Sequence, residues 1–91
     1  MVRDNPDQSR FELEEEGVTA IAVYRRAGNV VTFTHTEVPT GFRRKGVGSE
    51  LAQGALDLVR ARGERVVPEC PFIRKFIERH PAYQDLLVTP L

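Results

Sequence analysis

Val38-Pro39-Thr40-Gly41-Phe42-Arg43-Arg44-Lys45-Gly46-Val47-Gly48 runs directly into the apolar-striped segment 49–62, and this junction decides how the chain is read. A strand-like segment ends at Val38, a basic glycine-containing loop follows, and a helix begins. The first amides of a helix have no partners within it, and the helix dipole adds about half a positive charge at that end. Arg43, Arg44 and Lys45 add three cations beside it. The physical expectation is an anion seat for a phosphate or pyrophosphate. Gly46 and Gly48 lack a Cβ, so a bulky anion can approach the main chain. A turn that is basic only by composition is the plainer reading.

Two familiar phosphate loops do not fit. Gly41 and Gly46 have P-loop spacing, but Val47 and Gly48 stand where Lys and Ser/Thr are required. The dinucleotide fingerprint needs a third glycine at a spacing that Gly48 does not provide.

Downstream, Val47, Leu51, Ala55, Leu58 and Val59 lie on one helical stripe, with Glu50, Gln53, Asp57 and Arg60 opposite. Gly63 ends the helix. Gly54 inside it costs up to ~1 kcal/mol relative to Ala, which close packing on a sheet would justify. Arg65 to Pro68 forms a short strand, parallel to its predecessor if the two share a sheet. A second helix enters through Pro71, carries Phe72, Ile73, Phe76, Ile77 and His80 on one face, and stops at Pro81. The last ten residues have no regular pattern, with Tyr83, Leu86 and Leu87 able to dock on the core.

Upstream, Arg10 to Glu15 alternates, with Phe11 and Leu13 on one face. Val18 to Arg26 and Val30 to Val38 are strands joined by the turn Ala27-Gly28-Asn29. Residues 1–8 are polar around Asn5-Pro6-Asp7 and read as a flexible, frayed lead-in, with residues 9–91 as a single domain. The fold class is α/β: a mostly antiparallel sheet with one parallel strand–helix–strand crossover and helices packed on it.

Composition bounds the function. The 91 residues carry no net charge, 41% apolar residues and 29% charged residues, ordinary material for one small folded domain. Zero net charge, with no aromatic platform on the strands, weighs against nucleic acid as the partner. One cysteine and two separated histidines give no metal cluster and no internal disulfide. With no long apolar run and no signal-peptide core, the expectation is a cytoplasmic protein without a membrane partner. No dimerisation signal is visible, so a monomer or weak dimer is expected.

Arg43-Arg44-Lys45-Gly46-Val47-Gly48 resembles the R-x-x-G-x-G motif of the GNAT N-acetyltransferase superfamily. His35-Thr36-Glu37-Val38-Pro39 before it, with Pro68-Glu69-Cys70-Pro71-Phe72 and His80-Pro81-Ala82-Tyr83 after it, resembles the small single-domain GNAT-like proteins that lack N-terminal helices. The likeness runs from about residue 10 to residue 87. It implies an acetyl-CoA-dependent N-acetyltransferase, with acetyl-CoA as cosubstrate and an amine of a small molecule or protein as acceptor. It also implies that Val38, Arg43, Arg44, Lys45, Gly46, Val47 and Gly48 hold the cofactor. The pantetheine arm would lie in a splay between the parallel strands, pairing with backbone near Glu37 and Val38.

Acetyl transfer needs a base for the amine, donors for the thioester carbonyl and a proton for the leaving thiolate. Glu37, beside the loop, is the candidate base if partly buried; otherwise it is a solvated strand end. His35 shares its face by alternation and suits a proton shuttle, or is held within the sheet. Cys70, in the place where the resembled family has a cysteine near the acetyl group, is either a nucleophile or a small apolar filler. Where many GNAT enzymes carry a proton-donating tyrosine, this chain has Phe76. A CoA-binding module with little or no turnover is therefore the alternative.

Overall fold

In the computed structural model, residues 1–42 and 44–91 are described; Arg43, one of the expected anion-loop residues, lies outside the described residues. The strand-like first third forms β1 (Val2–Asn5), β2 (Arg10–Glu15), β3 (Val18–Ala27) and β4 (Val30–Glu37) in an antiparallel meander. The chain then crosses through α1 (Val47–Ala61) to β5 (Arg65–Pro68), which joins β4 in parallel, and continues into α2 (Pro71–Arg79). Sheet order is β1-β2-β3-β4-β5.

The helices cover one face of the sheet. Helix α1 packs on β1, β2 and β3, and α2 on β4 and β5. The face beneath them is Phe11, Leu13, Ala20, Ala22, Tyr24, Val31, Phe33 and Val66, all buried. On β3 the inward residues are thus the small Ala20 and Ala22, while the larger Ile21 and Val23 look away and are only partly covered. Small residues beneath α1 let the helix axis approach the sheet. Leu51, Ala52, Ala55, Leu56 and Val59 complete the core from the α1 side, and Ile73, Phe76 and Ile77 from α2.

The N-terminus corrects the sequence reading. Val2 to Asn5 is not a frayed lead-in but an edge strand paired from Val2↔Leu13 to Asn5↔Arg10. Its inward positions are Val2, which packs against Gly54 of α1 where a Cβ would collide, and Asp4. Asp4 accepts hydrogen bonds from Tyr24 Oη at 2.7 Å and Arg62 Nη1 at 2.6 Å. A carboxylate at an inward position breaks the apolar alternation, which is why the strand is hidden in the sequence. On the opposite face Glu12, only 3% exposed, accepts from Arg3 (2.9 Å), Asn5 (3.0 Å) and Arg10 (2.7 Å).

The tail is also ordered. Pro81–Leu86 forms a 3-10 helix, Leu87 bridges Val66, and Val88 N–H donates to Val66 O at 3.0 Å.

Candidate functional site

Two features follow the paired part of β4. The first is the parting of β4 and β5. Their parallel pairing runs from Val30↔Arg65 to Phe33↔Pro68 and stops there. Pro68 has no N–H to extend the ladder, and the next contact is Cys70 N–H to Phe33 O at 2.9 Å. From His35 to Glu37, β4 is paired with β3 but not with β5. The second is the start of α1. Gly46 caps it in the left-handed region, φ 83°, and no side chain caps the first turn. Gly46 O accepts from Glu50 N at 3.0 Å, so the helix closes around a glycine that an L-residue would strain.

A bulge decides which side chains face the splay. On β3, Tyr24 pairs with Phe33 and the adjacent Val23 with His35, so Thr34 is an extra residue on β4. Without it, alternation from Phe33 would turn His35 and Glu37 toward the core. With it, Thr36 lies opposite the buried Ala22 on the helix-covered face, and His35 and Glu37 lie opposite Val23 and Ile21 on the open face.

The sequence-derived catalytic residues therefore fall into two groups. His35 Nε2 and Glu37 Oε2 are 3.1 Å apart and both side chains are exposed, Glu37 at 62%. The partly buried Glu37 that the sequence reading required is not found. Cys70 is buried, and its Sγ lies 3.2 Å from Thr36 Oγ1. Thr36 was not singled out from the sequence. Only the bulge register, invisible to simple alternation, brings it to Cys70.

Within the loop, Arg44 is already occupied. It donates to both oxygens of Glu15, at 3.0 and 3.1 Å from Nε and 2.5 Å from Nη2, and to Glu50 at 2.7 Å. These bonds hold the Glu15 carboxyl below its ordinary range and raise the guanidinium above its own. Lys45 is exposed, as is Val38. The cleft of about 470 Å³ behind the loop is walled by Glu15 and Glu16 as well as Arg44. Its carboxylates disfavour a phosphate there. The larger cavity, about 570 Å³, lies beside β5, α2 and the C-terminal residues and includes none of the expected site residues.

Phe76 is buried and stacks on His80, with ring centroids 3.9 Å apart. Tyr83, the nearest tyrosine downstream, donates its hydroxyl to Asp57 at 2.8 Å. Burial and that carboxylate push its pKa up to about 12. Among the described residues no group of His, Cys, Asp and Glu is arranged to hold a metal ion, and no helix is long and apolar enough to cross a membrane.

Residues 10–86 match the model of the GCN5-related N-acetyltransferase family, and the chain belongs to that family. Membership supports acetyl transfer as the class of chemistry. Relatives named protein NATD1 include the bovine protein, 37% identical over 68 residues, and the human protein, 34% identical over 68 residues. Each alignment covers 74% of this chain and 60% of the relative, so the match spans less than two thirds of those longer proteins. The solution structure of a GCN5-like protein from Staphylococcus aureus superposes with a TM-score of 0.73 at 21% identity, covering all of this chain and 90% of that one. That likeness speaks to the fold.

Proposed function

We propose that this chain transfers an acetyl group from acetyl-CoA to an amine. The observation that carries the reading is the parting of β4 and β5 at Phe33 and Pro68, together with a glycine-capped helix start whose first turn meets α2 through Gly48 and Phe72. A parted parallel pair leaves strand-edge polar groups available to a chain-like ligand, and uncapped amides suit its pyrophosphate. Val47 and Gly48 would supply amides, Gly46 the open approach, and Lys45 and Arg43 positive charge. Arg44, bonded to Glu15 and Glu50, would shape the loop first and meet the anion only on release from those carboxylates.

In the reaction Glu37, exposed rather than partly buried, takes a proton from the acceptor ammonium as a solvated base, with His35 hydrogen-bonded to it. The freed amine attacks the thioester carbonyl, a C–N bond forms, the C–S bond breaks, and the second proton shed by the nitrogen balances the departing CoA thiolate, directly or through solvent. Phe76 has no proton to give, and the Tyr83 hydroxyl is committed to Asp57. That favours the second reading, a CoA-binding module with little turnover.

Melting temperature with and without acetyl-CoA, for the natural chain and for Gly46→Glu, separates these ideas. Ligand at ~100 times its Kd adds ~2.7 kcal/mol, a rise on the order of 10 °C in so small a domain. A rise lost in Gly46→Glu supports the site, and thiol release with an amine panel then divides enzyme from module. No rise with either acetyl-CoA or CoA removes both readings. The acceptor class, cytoplasmic location and monomeric or weakly dimeric state belong to the same proposal.

A further inference from the structure

The C-terminal residues pair with β5 at one position and then leave it. Leu87 bridges Val66 in parallel, and Val88 N–H donates to Val66 O at 3.0 Å. In a parallel ladder the next bonds fall two residues on, and here they would need N–H groups from Pro68 and Pro90. Proline has none, so the ladder cannot continue from either side. At that point the cavity of about 570 Å³ opens between β5, α2 and residues 89–91.

The α2 wall of this cavity carries Arg74 and Glu78. Both are exposed, and among the described residues neither forms an ion pair or a side-chain hydrogen bond. The third charged lining residue, Glu69, lies 3.4 Å from Arg25. Arg74 and Glu78 are four residues apart, so they stand on one side of the helix, about 6 Å apart along its axis. Side chains two apart on an extended chain share a face at about 6.6 Å, a closely similar spacing. Val67, Pro90 and Leu91 add apolar lining. We propose that this groove docks an extended peptide of a partner protein. An acidic residue of the peptide lies against Arg74, and a basic residue two positions along lies against Glu78. The apolar residue between them meets Val67, Pro90 and Leu91. The peptide backbone gives Pro68 O the N–H that Pro90 lacks, as a strand added to a sheet edge does. Binding needs no acetyl-CoA. Pro68 both lines the groove and marks the point where β4 and β5 part.

The test titrates blocked heptapeptides that differ only in carrying Glu-Val-Lys or Lys-Val-Lys at their centre, followed by backbone amide shifts. The natural chain should bind the first about fivefold more tightly than the second, with shifts centred on Val67, Glu69, Arg74 and Glu78. Arg74→Glu should reverse the order. Arg79→Glu changes net charge equally on the same helix but at a residue outside the cavity, and should keep the natural order. Absence of saturable shifts with either peptide overturns the proposal, as do shifts centred on another surface. An order unchanged by Arg74→Glu overturns it too. If Arg79→Glu also reverses the order, the preference is one of net charge and the proposal fails. All the substituted side chains are exposed, and the melting temperature of each variant confirms the fold.

Discussion

The two ends of the sheet are built on opposite principles. At the β1 end the carboxylates of Glu12 and Asp4 are saturated. Glu12 has three donors, and Asp4 has Tyr24 and Arg62 with Arg26 at 3.6 Å. Burial pushes the Asp4 carboxyl up, but the hydrogen bonds of Arg62 and Tyr24 and the nearby guanidinium charges outweigh it and hold it below its ordinary range. Hydrogen bonds from Arg10 and Asn5, against burial, do the same for Glu12. At the β4–β5 end the strands part, His35 and Glu37 face solvent, and a buried thiol meets a hydroxyl. Buried charges must be paired to be tolerated, so the first end is specialised for holding together. Parted strands and exposed polar groups suit the second end to receiving a ligand.

The sharpest way to break this contrast is to delete residues 1–5. Removing Arg3, Asp4 and Asn5 leaves Glu12, Tyr24 and Arg62 short of partners, an expected loss of roughly 3–5 kcal/mol, read from urea unfolding. An unchanged midpoint would restore the frayed N-terminus expected from sequence. At the other end, Glu37→Gln should lower kcat/KM about 100-fold while leaving acetyl-CoA affinity intact. Equal rates would exclude Glu37 as the base.

Glu12→Gln should cost about 2 kcal/mol by weakening the bonds from Arg10 and Arg3. Its pH dependence has a definite sign. The folded pKa lies below the unfolded one, so the unfolded chain binds the proton more readily on acidification. The stabilisation is therefore present at neutral pH and is lost as pH falls below about 5 and on through the folded value. The natural chain should lose stability over that range more steeply than the Gln variant; parallel curves would remove Glu12 from the account. Gly46→Ala, at φ 83°, should cost about 1 kcal/mol from left-handed strain alone, measurable as a lower melting temperature. Tyr83→Phe is the smallest change, under ~1 kcal/mol for the bond to Asp57. Turnover should be unaltered; a large fall in rate would bring Tyr83 back as the proton donor.

Much of the architecture was legible because local periodicity carried it. The stripe through Leu51, Ala55 and Val59, the alternation at Phe11 and Leu13, and the Pro71 entry to α2 predict elements close to those observed. The edge strand β1 was not legible, because its inward Asp4 looks polar until Tyr24 and Arg62 are in place. The site was legible as a loop and as a list of reactive side chains, but not as an arrangement. Sequence alone determined the helix start at Gly46, the parallel crossover and the family pattern, since each depends on residues adjacent in the chain. Tertiary structure decided the pairing of Arg44 with Glu15, the ring of Phe72 over Gly48 and the meeting of Thr36 with Cys70. Each joins distant segments, and the last depends on one extra residue, Thr34, which reverses the facing of every side chain after it on β4.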